Sequence, residues 1–127
     1  MFTSAERDLV EELIDTGRTA VAQGLVQAAG GNLSARSPGA DRFVITGAAT
    51  RLDRLTEDDF AIVTLGGETV SGTTRPSSEW KLHQRTYLVR PDAQAIVHVH
   101  PQHAVLLDAL GLPIRYLTLD HAYYVGA

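Results

Sequence analysis

His98 and His100 are the residues whose type and spacing most directly suggest chemistry in this chain. They end an apolar run whose small and β-branched residues predict a buried strand over residues 95–100. Side chains two positions apart on a strand point to the same face, so both imidazoles would project together. Paired imidazoles suit a transition metal, zinc first. The alternative is two half-buried histidines bonded to backbone, since two ligands do not complete a tetrahedral site.

A glycine-rich turn over residues 30–34 is the second candidate feature, and it reads Gly-Gly-Asn-Leu-Ser. Adjacent glycines let backbone amides approach a ligand closely, and Asn32 adds a side-chain amide donor. The same residue types also fill tight turns for conformational reasons alone. The turn by itself leaves both interpretations open.

The third feature is the run Ser77-Ser78-Glu79, which follows Pro76 where a helix is predicted to start. The free amides and the positive dipole end of a helix N-terminus favour anions. One serine could serve only as the N-cap, and a glutamate in the first turn is commonly a capping charge. Capping does not account for two serines followed directly by a glutamate, so ligand-binding and acid/base roles stay as hypotheses.

Hydrophobic periodicity and turn signals predict helices that alternate with strands. Thr3 and Glu6 have capping-box spacing at the start of a helix over residues 3–24. A loop leading into a strand covers residues 25–36, and a second helix starts at residues 75–79 and ends at Pro91. Further strands are predicted at 42–46, 60–65, 68–71, 95–100 and 112–119, and a third helix at 103–110. This mixture of hairpins and helices predicts an α/β domain with a largely antiparallel or mixed sheet.

Composition limits the class of protein. A chain of 127 residues predicts one domain with a real core. The net charge of -4 and a single lysine, Lys81, argue against nucleic-acid binding. The chain has no cysteine, so any metal must be held by His, Asp or Glu. No signal peptide and no membrane-spanning run are recognised, so we expect no membrane partner and a cytoplasmic protein.

Four sequence blocks in combination resemble the class II aldolase/adducin family. They are Gly-Asn-Leu-Ser, Arg-Leu-Asp-Arg-Leu, Arg-Pro-Ser-Ser-Glu-Trp-Lys-Leu-His and Arg-Pro-Asp-Ala-Gln-Ala-Ile-Val-His-Val-His-Pro. The resemblance runs from the first helix to at least Tyr116. It implies a three-layer α/β/α fold with a central, largely antiparallel (mixed) sheet, and an L-fuculose-1-phosphate aldolase-like activity. That activity is a metal-dependent lyase reaction, which cleaves or forms a C–C bond in a small ketose or ketose phosphate through a zinc-chelated enediolate.

Roles for individual residues follow from the same resemblance. It implies that His98 and His100 bind Zn²⁺ and that Glu79 is the catalytic acid/base beside the metal. It also implies that Tyr116, in Ile-Arg-Tyr, helps to protonate the aldehyde oxygen. The substrate phosphate would be bound by the remaining polar residues of the two turns, Asn32, Ser77 and Ser78.

Two departures from the family pattern accompany the resemblance. The family usually has Thr-Pro-Ser/Thr-Gly after its second strand, whereas this chain has Thr46-Gly47-Ala48-Ala49. A hydroxyl is thereby lost at Ala48, and Ala49 is expected to be strained where glycine is usual. Family members also continue beyond the position of Ala127, so we expect residues 1–127 to be one family-type domain, incomplete at its C-terminal end, with the third zinc histidine in the missing part.

Other functions within and outside the superfamily remain open. A sugar-phosphate 4-epimerase, a dehydratase or a decarboxylase would use the same metal and enediolate chemistry. A non-catalytic, adducin-like interaction domain is the alternative from another class, although it would not need Glu79 together with both histidines. The resemblance implies a homotetramer with active sites at subunit contacts. Exposed apolar residues over 112–124 would mark such an interface.

Overall fold

The computed structural model describes residues 1–27, 29–115 and 119–124 of the chain. The helices are α1 (Ser4–Ala22), α2 (Trp80–Val89), α3 (Gln102–Ala109) and α4 (Leu119–Tyr124). The strands are β1 (Asn32–Ala35), β2 (Arg42–Thr46), β3 (Phe60–Thr64), β4 (Thr69–Gly72) and β5 (Ala95–His98). Two short 3-10 turns, Leu52–Arg54 and Glu57–Asp59, lie between β2 and β3.

The strands form a five-stranded sheet in the order β4-β3-β2-β1-β5. Every strand pair recorded in the described ranges is antiparallel. The predicted α/β class with a largely antiparallel sheet is therefore confirmed, and no parallel pair occurs within the part of the chain that the structure describes. The fifth strand joins the sheet beside the first, which brings the predicted metal-binding segment next to the glycine-rich turn.

Strand alternation divides the core into two layers, one on each face of the sheet. Val44 of β2 points toward α1, where it packs with Val10 and Leu13 in the first apolar cluster. Its neighbours Phe43 and Ile45 point to the opposite face and pack with Tyr87 of α2 in the second cluster. A helix on each face of a central sheet gives the expected α/β/α layering.

Side-chain hydrogen bonds stabilise one end of each of the helices α1 and α2. At the start of α1, Thr3 and Glu6 form the predicted capping box, because the Glu6 amide donates to Thr3 Oγ1 and the Thr3 amide to Glu6 Oε2. At the end of α2, the buried Arg36 guanidinium donates to backbone carbonyls within and just after the last turn. Its acceptors are the carbonyl oxygens of Tyr87, Arg90, Pro91 and Ala93.

Three predicted elements differ from the structure. The strand predicted at 112–119 is wrong: residues 112–115 have no regular structure and a helix begins at Leu119. Residues 116–118 lie outside the described residues. The strand predicted as buried over 95–100 ends at His98 and is partly exposed at the edge of the sheet, with Val97 49% exposed. The second helix begins at Trp80 rather than within 75–79, because the Ser77 amide donates to the Thr46 carbonyl and keeps this segment beside β2.

Within the described ranges, no helix is both long and apolar enough to cross a membrane.

Candidate active site

His98 and His100 lie side by side, as their spacing predicts. His98 is the last residue of β5, and its partner across the ladder is Asn32 of β1. His100 lies just beyond the strand, where its backbone amide donates to the Leu25 carbonyl at 3.0 Å. The two imidazole rings meet edge to face with centroids 5.0 Å apart. This separation is compatible with ring nitrogens from both residues reaching one ion.

Glu79 approaches this pair from the start of α2. It occupies the N-cap position, but its side chain makes no hydrogen bond to the helix amides. Glu79 Oε2 instead accepts a 2.5 Å hydrogen bond from Asn32 Nδ2 and lies 2.9 Å from His98 Nδ1. Glu79 therefore does not cap the helix through a side-chain hydrogen bond, although its charge lies at the positive end of the helix dipole. Its side chain is 46% exposed, so the carboxylate faces both the histidines and the solvent-accessible side of the site.

The two serines before Glu79 have different surroundings. Ser77 is buried, and its Oγ lies 3.3 Å from the Glu79 amide, from which it accepts a weak hydrogen bond. The Ser77 amide donates to the Thr46 carbonyl at 2.9 Å. Ser78 is exposed. The pair therefore combines one hydroxyl that is fixed against the sheet with one that faces solvent.

A pocket of about 230 Å³ lies where these segments meet. All three residues expected to bind phosphate contribute to its wall, together with Glu79 and one of the histidines. Its lining comprises Ala29, Gly30, Gly31, Asn32, Gly47, Ala49, Thr50, Ser77, Ser78, Glu79 and His100. The glycine-rich turn, the helix start and His100 thus line one cavity, and His98 lies beside it against Glu79.

Gly31 explains why glycine is required in the turn. Its φ of 75° lies in the left-handed region, and a Cβ built there would lie 2.6 Å from the His98 carbonyl oxygen. The conformational interpretation of this turn is therefore correct for Gly31. The close approach also joins the turn directly to the strand that carries His98.

Ala49, in the pocket wall, has the strain expected from its departure from the family pattern. Its φ is 60°, and it is the only non-glycine residue with positive φ in the described ranges. An alanine in this region costs about 1–2 kcal/mol relative to its ordinary conformations. The pocket therefore keeps a backbone conformation that its residue type does not favour.

The side chain of His98 fits a metal ligand. Its Nδ1 is buried and has no hydrogen-bond partner among the described residues, because the 2.9 Å approach of Glu79 Oε2 lacks hydrogen-bond geometry. Such an unsatisfied ring nitrogen is costly unless an ion or another partner occupies it. Nitrogen ligands without any thiolate suit zinc or a similar divalent ion. Within residues 1–27, 29–115 and 119–124 no group of three or more His, Cys, Asp or Glu side chains is arranged to hold an ion, so the pair alone is incomplete.

A buried polar chain behind the site was not predicted from the sequence. His83 of α2 is fully buried between two residues of β1, with Nδ1 at 2.7 Å from Ser34 Oγ and Nε2 against Asn32 Oδ1. Ser34 Oγ also lies 2.8 Å from the Tyr87 hydroxyl. Burial, reinforced by the nearby His98, lowers the pKa of His83 from 6.5 to about 4. Burial also raises the pKa of Tyr87.

Two spacings in the sequence could have revealed this chain. Glu79, His83 and Tyr87 are four residues apart, which places them on one face of a helix. Asn32 and Ser34 are two apart on a strand and share one face of the sheet. The remaining predicted site residue, Tyr116, lies outside the described residues.

Residues 11–127 match the family model described as Class II Aldolase and Adducin N-terminal domain. This chain belongs to the class II aldolase/adducin family. It is 36% identical over 106 residues to an L-fuculose phosphate aldolase of Escherichia coli O6:H1, which covers 84% of this chain and 48% of that relative. It is 33% identical over 101 residues to a methylthioribulose-1-phosphate dehydratase of Pseudoalteromonas translucida, which covers 80% of this chain and 47% of that relative.

Solved structures of the class II aldolase/adducin family have the same fold. The L-fuculose-1-phosphate aldolase from Thermus thermophilus superposes with a TM-score of 0.75 and 36% identity, over 91% of this chain and 56% of that one. The chain thus spans about half the length of the curated relatives it matches. Its family and fold are shown, and the relatives include both an aldolase and a dehydratase.

Proposed function

We propose that this chain forms the metal-binding and acid/base half of a class II aldolase-type lyase, which acts on a small ketose or ketose phosphate. The observation that carries the proposal is that Glu79 Oε2 lies beside His98 Nδ1, next to a pocket lined by Glu79 and His100. A carboxylate oxygen 2.9 Å from a buried imidazole nitrogen without a hydrogen-bond partner is suited to work beside a bound cation.

His98 and His100 would hold the cation, which we propose to be Zn²⁺, and a third ligand would come from outside the described residues. A divalent cation bound there would supply Lewis-acid stabilisation of the negative charge on the substrate oxygens. The chain has one lysine, Lys81, which is exposed on α2, so a Schiff-base mechanism has no buried lysine in the described site.

Proton transfer is assigned to Glu79 and Tyr116. In the cleavage direction, the proton of the substrate hydroxyl would pass through Tyr116 to solvent as that hydroxyl becomes the aldehyde oxygen. The C–C bond breaks, and its electron pair passes to the ketose carbonyl as an enediolate. Glu79, a carboxylate at rest, would take up one proton from solvent and deliver it to the enediolate carbon, so one proton leaves, one enters, and a ketone and an aldehyde are released.

Asn32, Ser77 and Ser78 are proposed to bind the substrate phosphate. All three contribute to the wall of the pocket, and Ser78 is exposed there. Asn32 keeps one amide proton for a ligand after its other polar contacts, to Glu79 and His83, are counted. Because the hydroxyl usual in the family is missing at Ala48, a free ketose is the alternative substrate to test.

The other functions depend on the same residues. A dehydratase is supported by the methylthioribulose-1-phosphate dehydratase among the relatives. A 4-epimerase or decarboxylase would also use a cation with an adjacent carboxylate. An adducin-like interaction domain gives no reason for the Glu79 side chain to contact Asn32 and His98 rather than the helix amides. We therefore place catalysis above a scaffold role.

The proposal is tested on the full-length protein with Zn²⁺. Aldehyde release is measured from a panel of ketose 1-phosphates and the matching free ketoses, together with loss of water or carbon dioxide. We expect the protein to release aldehyde, and we expect chelation of the metal to abolish this release. Glu79→Gln should lower the rate of aldehyde release at least about 100-fold, which is the usual range for acid/base catalysis. Glu68→Gln, an exposed carboxylate beyond the Gly66-Gly67 turn, is the matched control and should leave the rate unchanged. Dehydration without aldehyde would instead support the dehydratase, and no turnover of any substrate would contradict an enzyme.

The proposed assembly is a homotetramer, and the proposed location is the cytoplasm. Large apolar side chains near the end of the described chain are more than half exposed. They are Leu110, Leu112, Ile114, Tyr123 and Tyr124. Such a patch fits a subunit interface, and light scattering on the full-length protein at micromolar concentration distinguishes a tetramer from a monomer.

A further inference from the structure

His83 is a fully buried titratable residue beside the site that the proposed reaction does not use. It lies behind Asn32, away from the pocket lining, and both of its ring nitrogens have polar partners. A buried imidazole held on both sides has a defined tautomer, because a neutral ring carries one donor and one acceptor.

The partners of His83 fix the direction of every hydrogen bond in the buried polar chain that runs from Tyr87 to Glu79. The Glu79 carboxylate only accepts, so Asn32 must turn its Nδ2 toward Glu79 and its Oδ1 toward His83. His83 Nε2 must then carry the proton. Nδ1 is left as the acceptor, so the Ser34 hydroxyl donates to it and accepts in turn from Tyr87. All donors therefore point from Tyr87 toward Glu79.

We propose that His83 is a positioning residue: held as the Nε2–H tautomer by Ser34 and Tyr87, it locks the Asn32 amide, which in turn holds the Glu79 carboxylate beside His98. The proposal rests on the proposed function in that Glu79 is taken as the acid/base. The low pKa of His83, about 4, agrees with a ring that is neutral near pH 7.

The geometry explains why His83 should influence the position of Glu79 and not only the packing of the protein. Glu79 is 46% exposed and lies before the first turn of α2, so it has little packing to restrain it. Among the described residues, its one hydrogen bond from a side chain comes from Asn32. Without the His83 donor, the Asn32 amide could rotate and present its oxygen to the carboxylate, which would repel it. Carboxylates and histidines at metal sites depend on the residues that hydrogen-bond to them from behind. Loss of one such outer partner typically lowers activity about 10–100-fold.

The tautomer is measured first, on metal-free protein with no substrate. Nitrogen-15 NMR of the histidine rings at pH 7 distinguishes Nε2–H from Nδ1–H through the shifts of the two nitrogens and their couplings to the ring protons. We expect His83 as Nε2–H. An Nδ1–H or a cationic ring at pH 7 would overturn the proposal, whatever the enzyme does.

Kinetics on the zinc-loaded full-length protein then test the path through Asn32. His83→Leu should lower kcat about 10–100-fold with KM changed less than about threefold. His83→Gln, whose amide can still donate to Asn32 from near the Nε2 position, should recover most of this loss. His103→Leu, an exposed imidazole on α3, is the matched control and should leave kcat unchanged.

Coupling between the two residues decides the proposal. If His83 acts through Asn32, His83→Leu should have little further effect in an Asn32→Ala background. Multiplicative losses in the double variant, or a loss that His83→Gln does not recover, would overturn it. If wild-type protein turns over no substrate, the proposed function fails while the tautomer measurement still decides the role of His83.

Discussion

Asn32 and His98 lie directly opposite each other in the antiparallel register of β1 and β5. Their side chains therefore project from the same face of the sheet, toward the start of α2. Both reach the same oxygen, Glu79 Oε2, at 2.5 Å and 2.9 Å. The pairing of two strands thus places an amide donor and an imidazole on one carboxylate, and the site depends on this register.

Replacing Gly31 tests that dependence. A Cβ at Gly31 would lie 2.6 Å from the His98 carbonyl oxygen, so Gly31→Ala should push β5 away from β1 at the site. We expect zinc affinity to fall at least about 10-fold, because outer contacts orient the ligands. Gly39→Ala is a matched control, since Gly39 also has positive φ (72°) but no atom within 4 Å of its Cβ position. Calorimetric titration with zinc measures the difference. Equal losses in both variants would mean that backbone strain, rather than the contact with His98, causes the effect.

Ala49 offers a test of strain in the pocket wall. Ala49→Gly should raise the free energy of unfolding by up to about 1 kcal/mol, because glycine adopts a φ of 60° without strain. Part of this gain is offset because glycine increases the conformational entropy of the unfolded chain. Ala40→Gly, in the turn before β2, has no positive φ to relieve and should lower the free energy of unfolding by about 0.4–1 kcal/mol. Urea denaturation measures both. A loss at Ala49 equal to that at Ala40 would contradict strain at this position.

His83 predicts how stability depends on pH. Its pKa is about 4 in the folded protein and 6.5 as the ordinary value, so the unfolded chain binds more protons between these limits. The contribution of His83 is therefore complete above pH 6.5 and is lost as the pH falls toward 4. Between about pH 7.5 and 4.5 this amounts to about 2–3 kcal/mol. Urea denaturation should show a steeper loss for wild-type protein than for His83→Gln, and parallel pH profiles would contradict a buried neutral ring.

The site could be predicted from sequence because its residues fall into short motifs with fixed geometry. His98 and His100 are two apart at a strand end, and Ser77 and Glu79 precede a helix. Such spacings determine which side chains point together, whatever the tertiary structure. Which motifs meet, by contrast, depends on strand order. The family resemblance supplied this information, because local patterns do not show that β5 pairs with β1.

His83 shows where the sequence was harder to interpret. A histidine inside an amphipathic helix is as consistent with an exposed face as with a buried one. Its burial follows from Ser34 and Asn32 on β1, which are far away in sequence and supply the polar partners that a buried imidazole needs. The strand prediction for residues 112–119 was wrong for a related reason. An apolar run of this length fits a strand or a helix equally well, and its tertiary surroundings determine which of the two forms.

Metal binding gives the most direct test of the histidine pair. His98→Ala or His100→Ala should reduce bound zinc from about one per chain to less than about a tenth, because each removes one of few nitrogen ligands. Bound zinc is measured by elemental analysis of the full-length protein after dialysis against a weak chelator. His103→Ala removes an exposed imidazole of α3 that lies only three residues from His100 and should leave the zinc content unchanged. Retention of zinc by both His98→Ala and His100→Ala, or equal loss in His103→Ala, would contradict the assignment of the metal site to this pair.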